Sequence, residues 1–274
     1  MSKLKMWKPE SSWEDSEKEW EQGAKHFQTS YPIKTLKHLP NMVGITPEAK
    51  RFLRWKAFKW IIGKDEGFKV LRKFFIHPFR YTWGYLKSLL KPQKYVRDGD
   101  LFLYGLPNID TFQQLLESDQ TLLLVGFSYC HKPLECPSGR FNDQCIHDAE
   151  HPVCRQCFIG KALHALPEDR VIPLIIPTIH YIGDKVFDAV HQNPDKKVIF
   201  LITACEMTLE MFSDWGNMVG IQGVGVRLDG RICNTLEAFA LSEKGIKPGL
   251  TVVREETKKR ILDLIRKLRE FRKA

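Results

Sequence analysis

The sequence predicts an α/β protein with a Rossmann-like, mostly parallel sheet, preceded by a basic, aromatic-rich helical segment. The run Thr121–Val125 is short, β-prone and apolar without alternation, which is typical of a central parallel strand. From Thr121 onward such runs alternate with helical stretches of the length found in βαβ units. With 274 residues, of which 43% are hydrophobic and 27% charged, the chain can bury a full core and is not disordered.

We divide the chain into three parts: a polar, Trp-bearing lead-in over 1–48, a basic aromatic helical segment over 49–118, and a cysteine-rich α/β domain over 119–274. The lead-in predicts one helix, and Tyr31-Pro32 ends it.

The predicted lead-in helix begins at Ser11-Ser12-Trp13-Glu14, which has the S-x-x-E form of a capping box. Trp13 and Trp20 are seven residues apart and therefore share one helical face. We expect this helix to lie across the main domain, held there by its tryptophans.

The middle segment is strongly basic. Thirteen Lys or Arg residues lie between Arg51 and Arg97, against only Asp65 and Glu66, so this stretch carries +11 and the rest of the chain −2 of the net +9. Its predicted helical pieces are Thr46–Ile62, Phe68–Ile76 and Tyr81–Leu90. Basic helices with aromatic faces bind anionic membrane surfaces and nucleic acid.

We expect residues 51–97 to favour an anionic membrane surface over nucleic acid, because no recognised nucleic-acid-binding motif accompanies the charge. The alternative is an amphipathic helical layer that buries its aromatic side chains against the next domain and leaves its lysines solvated. The sequence does not indicate which small molecule would be a substrate.

Further elements follow from the same patterns. The predicted strands are Leu101–Tyr104, a run from Thr121, Val171–Ile176, Lys197–Ile202, Gly220–Val226 and Leu250–Val253. The predicted helices are Asp110–Leu116, Asp184–His191, Met207–Trp215, one that ends at Leu241, and Glu255–Phe271. Pro173 favours an edge position or a strand start, because it cannot donate to a ladder.

Five of the seven cysteines lie within 28 residues, directly after the first strand of the α/β domain, and they are the candidate metal ligands: Cys130, Cys136, Cys145, Cys154 and Cys157. The C-x-x-C pair can hold one edge of a tetrahedral metal site, and two more ligands are needed. The irregular spacing favours an iron–sulfur cluster, with zinc as the alternative.

Two other interpretations of these cysteines stay open. The cysteines are either reduced structural residues or, at the C-x-x-C, a thioredoxin-like redox pair. The neighbouring histidines that could replace a cysteine as ligand are His131, His147 and His151.

Cys130, Cys205 and Cys233 each follow a predicted strand, and a parallel sheet brings such ends to one edge, where open α/β folds bind ligands. Cysteine is also simply a small buried residue near strand ends. The candidate catalytic residues at this edge are Cys205, Cys233, Glu206, Asp229 and Asn234, with Arg227 and Thr235 beside them. They suit acid–base catalysis, anion binding and substrate hydrogen bonding.

Other catalytic motifs are weak or missing from the sequence. Gly220, Gly223 and Gly225 have the order G-x-x-G-x-G inside a strand-like run, which is a poor dinucleotide signal. The sequence has no G-x-x-x-x-G-K-[ST] loop, no G-x-S-x-G elbow, and no C-x-x-x-C-x-x-C motif of the kind that radical chemistry on S-adenosylmethionine requires.

A series of short motifs resembles a known family. In order they are Phe127-Ser128-Tyr129-Cys130, Cys136-Pro137, Cys154-x-x-Cys157-x-Ile159-Gly160, Ala204-Cys205-Glu206, Gln222-Gly223-Val224, Asp229-Gly230 and Cys233-Asn234-Thr235. Together they resemble the domain-of-unknown-function 116 family, a prokaryotic family with cysteine-rich members of unassigned activity. The resemblance covers roughly Leu122 to Val253. It implies a cysteine-rich α/β domain and supplies no reaction.

These observations predict a metal-binding protein, with iron–sulfur or zinc bound at a thiolate-rich site on the carboxyl edge of the sheet and with redox or metal-assisted catalysis there. The alternative is a non-enzymatic adaptor in which structural zinc and a basic helical surface serve binding to anionic membrane or RNA. The start of the chain lacks the features of a secretory signal, and no apolar run approaches the ~20 residues that cross a bilayer. We therefore expect a cytoplasmic protein, peripheral at the inner membrane face.

Overall fold

The computed structural model describes residues 11–36, 44–47, 49–50, 53, 60, 62–90 and 94–273. The strands are β1 (Val96–Asp98), β2 (Leu101–Tyr104), β3 (Thr121–Ser128), β4 (Val171–Ile176), β5 (Lys197–Ala204), β6 (Gln222–Arg227), β7 (Asp229–Gly230) and β8 (Thr251–Val252). The α-helices are α1 (Trp13–Ser30), α2 (Lys69–Phe74), α3 (Pro78–Leu90), α4 (Ile109–Leu116), α5 (Pro152–Gln156), α6 (Phe158–Ala165), α7 (Ile179–Gln192), α8 (Glu206–Val219), α9 (Leu236–Ser242) and α10 (Glu255–Lys273). Short 3₁₀ turns cover Glu66–Phe68 and Tyr129–His131.

Within these residues, six strands form one sheet in the order β1-β2-β6-β5-β3-β4. Strands β3 to β6 are parallel to one another, whereas β2 pairs antiparallel with β6 and β1 pairs antiparallel with β2. This arrangement confirms the predicted Rossmann-like, mostly parallel α/β fold.

Two details of the sheet differ from the sequence prediction. Strands β1 and β2 belong by sequence to the segment 49–118, yet they extend the sheet of the α/β domain. The predicted strand Leu250–Val253 is reduced to β8, which pairs with β7 in a separate antiparallel ribbon and does not join the main sheet. Both differences arise from pairings between distant parts of the chain, which local patterns do not encode.

Helices cover both faces of the sheet. Right-handed crossovers require α6 on one face and α7 and α8 on the other, because the chain moves from β3 to β4 in one direction and then returns past β3 to β5. Helix α10 packs on α4 and α6, while α7 and α8 pack on each other. Strands β3 and β5 are buried along nearly their whole length, as the unbroken apolar runs predict.

Helix α1 lies against α5, as expected of the lead-in helix, and Trp20 is buried in the core. Its N-cap is Ser12, whose hydroxyl accepts from Asp15 N at 3.0 Å, so the predicted box at Ser11 and Glu14 is one residue out of place. The Arg155 guanidinium lies 4.4 Å from the centre of the Trp20 ring and also donates to its carbonyl.

Helix α3 is fixed on α8 by its inner face. Ser88 is buried there and donates to Asp214 Oδ1 at 2.9 Å, while the buried Tyr81 ring contacts Phe187 and His191 of α7. A Cβ at Gly84 would lie 2.4 Å from the Met218 carbonyl oxygen, so glycine permits this close approach. The predicted helix Thr46–Ile62 lies mostly outside the described residues.

Candidate functional site

The structure divides the seven cysteines into two groups. Cys136, Cys145, Cys154 and Cys157 line one small cavity beside the sheet, which we call the four-cysteine cavity. The other three cysteines, Cys130, Cys205 and Cys233, interact with one another. Cys130, which we predicted among the metal ligands, therefore lies with the strand-end cysteines. All seven are free thiols.

The four-cysteine cavity has a volume of about 10 Å³, which is the space that one water-sized particle occupies. Cys136 and Cys145 come from the long loop after β3. Cys154 lies within α5, and Cys157 ends that helix. Backbone N–H groups support three of the sulfurs: His147 N–H is a partner of Cys145, Asp148 N–H of Cys154, and both Ile159 and Gly160 N–H of Cys157.

Burial raises the pKa of these thiols. The pKa of Cys154 rises to about 11 and that of Cys157 to about 12, because desolvation outweighs the backbone hydrogen bonds that favour the thiolate. Burial also raises the pKa of Cys145. A buried thiol that is supported by N–H donors ionises readily only when a cation joins it.

Lys132 lines the same cavity and interacts with Cys136, Cys145 and Cys157. Its side chain is almost fully buried, and its ammonium donates to Gly139 O at 2.9 Å, Asn142 Oδ1 at 2.6 Å and Gln144 O at 2.7 Å. These bonds hold the loop that carries two of the cysteines. Burial lowers the Lys132 pKa, and nearby cysteines of the cavity oppose that shift.

The four thiols do not yet converge on one point. Across the described residues, no group of three or more His, Cys, Asp or Glu side chains is arranged to hold a metal ion as it stands. Ligation therefore requires rotation of the cysteine side chains around the cavity.

The three candidate histidines have different surroundings. His147 lines the cavity, with Nδ1 3.0 Å from the Cys145 carbonyl. His151 caps α5 by accepting from Val153 N at 3.2 Å. His131 packs on the Phe158 ring, and burial lowers its pKa to about 3, so it stays neutral.

The strand-end cysteines lie where the strand order reverses. The chain passes from β3 to β4 on one side and later to β5 on the other, so the crevice between the carboxyl ends of β3 and β5 is the topological switch point. Cys130 sits in the 3₁₀ turn after β3, and Cys205 directly follows β5 as the N-cap of α8. Open α/β sheets bind their ligands at this position.

Cys205 and Cys233 form a thiol pair. Their mutual hydrogen bond raises the pKa of Cys205 and lowers that of Cys233. The Lys247 ammonium donates to Cys233 Sγ at 3.3 Å and further favours its thiolate. Cys205 Sγ also lies 3.3 Å from Thr208 Oγ1.

Two acidic groups adjoin this pair. Glu243 accepts from Ile179 N at 3.0 Å, and burial, together with the charge of Cys233, raises its carboxyl pKa to about 7. The Tyr129 hydroxyl donates to Ser242 O at 2.5 Å, and burial, followed by nearby Cys130, raises its pKa. The sequence analysis missed Glu243 and Lys247. Charged residues at the end of a helix are normally expected to face solvent, and their distance from Cys233 along the chain matches no known motif.

The remaining candidate catalytic residues lie elsewhere. Glu206 and Asp229 approach the buried Arg227 guanidinium at 3.9 and 3.8 Å, and Asp100 pairs with it at 3.2 Å. Asn234 is exposed on the loop after Cys233. Of the five predicted residues, the structure thus brings Cys205 together with Cys233, and Glu206 together with Asp229 around Arg227.

These features define a Rossmann-like α/β protein with a thiol cluster at its switch point and a four-cysteine cavity in the loop beyond β3. No protein-family model matches the chain, and neither a curated protein nor a solved structure is similar to it. The resemblance to the domain-of-unknown-function 116 family stays a prediction. No helix in the described ranges is both long and apolar enough to cross a membrane.

Proposed function

We propose that this protein binds a single metal ion through Cys136, Cys145, Cys154 and Cys157. The observation that carries the proposal is that all four line one cavity. Four thiols are the complete ligand set of a structural zinc site. Their N–H donors and the nearby Lys132 ammonium would both offset the negative charge of four thiolates.

We favour one ion over an iron–sulfur cluster. A single ion asks for less rearrangement of the four side chains around this small cavity than a four-iron cluster with eight heavy atoms does. Zn²⁺ is our first choice, and a single iron ion has the same geometry. Because four protein ligands leave no open coordination position, the ion would fasten the long loop to α5 and would not bind substrate.

Metal analysis of anaerobically purified protein tests this proposal. We expect about one zinc per chain. Single changes to Ser at each of the four ligands should lower that content strongly. A tetrahedral site loses most of its metal affinity when one of its four thiolates is removed. The matched controls are Cys130→Ser, Cys205→Ser and Cys233→Ser, which should keep the metal.

Three outcomes would contradict it. Metal-free protein, or metal retained in all four ligand variants, removes the site. Equal loss in the Cys205→Ser control moves the metal to the other cysteine group. A brown protein with broad absorbance near ~400 nm replaces the single ion by a cluster.

A second function is supported by the outer face of α3. Phe79, Trp83, Leu86 and Leu90 follow one another at helical spacing and form what we call the exposed stripe. Phe79 is 90% exposed, Leu90 84% and Trp83 61%. Phe75 and Ile76, which directly follow α2 in the chain, are also exposed. Contiguous apolar surface of this kind marks an interaction site.

The charge around the exposed stripe selects the partner. Residues 67–90 contain five Lys or Arg residues and no Asp or Glu. Lys73 is paired with Asp184 and Asp188 at 2.5 Å, while Lys69, Arg72, Arg80 and Lys87 are exposed. We propose that this face docks on an anionic membrane, with the stripe in the acyl boundary and the cations at the headgroups.

Vesicle sedimentation tests the docking. We expect binding to vesicles that contain phosphatidylserine, weaker binding at high salt, and little binding to pure phosphatidylcholine. Phe79→Ser with Trp83→Ser should abolish it, because these side chains supply the buried apolar area. Leu241→Ser removes an exposed apolar side chain from α9 and serves as the control.

Unchanged vesicle binding by the double variant would refute the membrane role of the stripe. Salt-sensitive binding to RNA without vesicle binding would assign the basic face to nucleic acid instead.

A further inference from the structure

The thiol cluster at the switch point is separate from the four-cysteine cavity and has no part in the proposed metal site. It joins Cys205 and Cys233 with Cys130, Lys247 and Glu243. A thiol pair, a cation and a carboxyl group with a raised pKa, all close to one another, are the parts that thiol redox chemistry uses.

The contacts give the two thiols different roles. Cys233 Sγ accepts from Lys247 Nζ at 3.3 Å, which stabilises negative charge on that sulfur. Cys205 hydrogen-bonds to Cys233 and lies beside Thr208, so it is the partner that keeps its proton. Cys233 is thus the nucleophile, and Cys205 is close enough to attack the Cys233 sulfur after it has been oxidised.

Access limits the size of the oxidant. Cys205 and Cys233 are buried, whereas Arg231, Asn234 and Thr235 of the loop that carries Cys233 are exposed. A peroxide molecule is about as small as two waters, so it reaches buried thiols more readily than a peptide disulfide does.

We propose that Cys205 and Cys233 are a redox-active dithiol that reduces hydrogen peroxide and closes to a disulfide. The Cys233 thiolate attacks one peroxide oxygen, and the O–O bond breaks. Cys233 becomes a sulfenic acid, and the departing hydroxide takes the Glu243 proton to form water. Cys205 Sγ then attacks Cys233 Sγ, the S–O bond breaks, and the departing hydroxide takes the Cys205 proton to form a second water.

The steps balance. One peroxide and two cysteine sulfurs give two waters and one disulfide, so two electrons pass from the thiols to the peroxide. Glu243 ends as a carboxylate and recovers its proton from solvent. The pKa of about 7 that burial gives this carboxyl suits it to donate near neutral pH.

Peptide mapping after oxidation tests the proposal. Reduced full-length protein is treated with one equivalent of hydrogen peroxide, alkylated and digested with trypsin. Cleavage after Lys197, Arg227, Arg231 and Lys244 places Cys205 and Cys233 in separate peptides with one cysteine each, so their cross-link is unambiguous. We expect that cross-link as the main product.

The variants separate the roles. Cys205→Ser should leave a Cys233 sulfenic acid that dimedone traps, and Cys233→Ser should give neither adduct nor cross-link. Lys247→Met should raise the pH at which oxidation reaches half its full rate by about one unit or more, because loss of the cation raises the pKa of the Cys233 thiol. Lys247→Arg keeps the cation and should leave that pH close to its value in the unchanged protein. Cys130→Ser should still form the cross-link.

Unmodified Cys205 and Cys233 after peroxide, with normal alkylation once the protein is unfolded, would overturn the proposal. Identical pH profiles of oxidation in Lys247→Met and Lys247→Arg would overturn the role of the cation. Zinc content, measured on the same samples, reports the four-cysteine cavity independently, so failure of one proposal is distinguishable from failure of the other.

Discussion

Glu243 shows how one buried side chain links protonation to stability. Burial and the neighbouring Cys233 charge raise its folded pKa to about 7 from an ordinary value of 4.5. The folded state therefore holds this proton more tightly than the unfolded state does. Its contribution is fully present below pH 4.5 and is lost as pH rises through 7.

We expect Glu243→Gln to remove this dependence. The amide oxygen can still accept from Ile179 N, but no carboxylate has to be buried. Between pH 4 and 8 the unchanged protein should lose on the order of 1–3 kcal/mol of unfolding free energy relative to the variant. Urea denaturation of both proteins at the two pH values measures the difference, and parallel pH profiles would contradict it.

Lys132 has a comparable structural importance. Its ammonium is buried and satisfied by three oxygens of the loop that carries Cys136 and Cys145. Loops with little regular structure need such bonds, because otherwise their backbone polar groups are left without partners. This single side chain thus shapes the four-cysteine cavity.

Strand β6 explains the glycines that look like a nucleotide fingerprint. A Cβ at Gly223 would lie 2.3 Å from the Phe200 carbonyl oxygen, and one at Gly225 would lie 2.6 Å from Leu209 Cδ2. Gly220 has φ +79 and ends α8 in the left-handed region. All three glycines therefore serve close packing and helix termination, and none opens a helix toward a phosphate.

We expect Gly223→Ala to destabilise the sheet by about 1–3 kcal/mol, because the added methyl meets backbone that cannot move without breaking the β5–β6 ladder. The control is Gly183→Ala in α7, where a Cβ would meet nothing within 4 Å. That change should be neutral or stabilising by about 0.5–1 kcal/mol.

Thermal or urea unfolding of both variants provides the measurement. A Gly223→Ala protein as stable as the Gly183→Ala protein would show that β6 has room for a side chain, and the packing account of these glycines would be wrong.

At the scale of the whole molecule, side chains from distant parts of the sequence hold the two cysteine groups in place. Arg155 and Lys161 anchor α1, the latter through Glu17 and Glu21 at 2.7 and 2.6 Å. Arg140 lies on the loop of the four-cysteine cavity and donates to the carbonyls of Cys130 at 3.2 Å and Lys247 at 2.9 Å. Loss of order in that loop would therefore also disturb the thiol cluster.

The sequence was sufficient for the parallel strands and most helices, because continuous apolar runs and capping residues are local signals. Cys130 and Cys205 were correctly expected at one sheet edge, since parallel strands deliver their ends together. The separation of Cys130 from the C-x-x-C could not be predicted, because it depends on how the loop folds back. Glu243 and Lys247 could not be found either, since only the tertiary fold brings them to Cys233.

Strand β4 forms one border of the main sheet, and Pro173 lies in its middle, opposite Val125 of β3. The other border is β1, which is only three residues long. A border strand with a full row of free N–H groups can recruit a strand from a second molecule, and proline interrupts such a row. Both borders therefore resist aggregation between copies, which protects a chain whose central strands are apolar along most of their length.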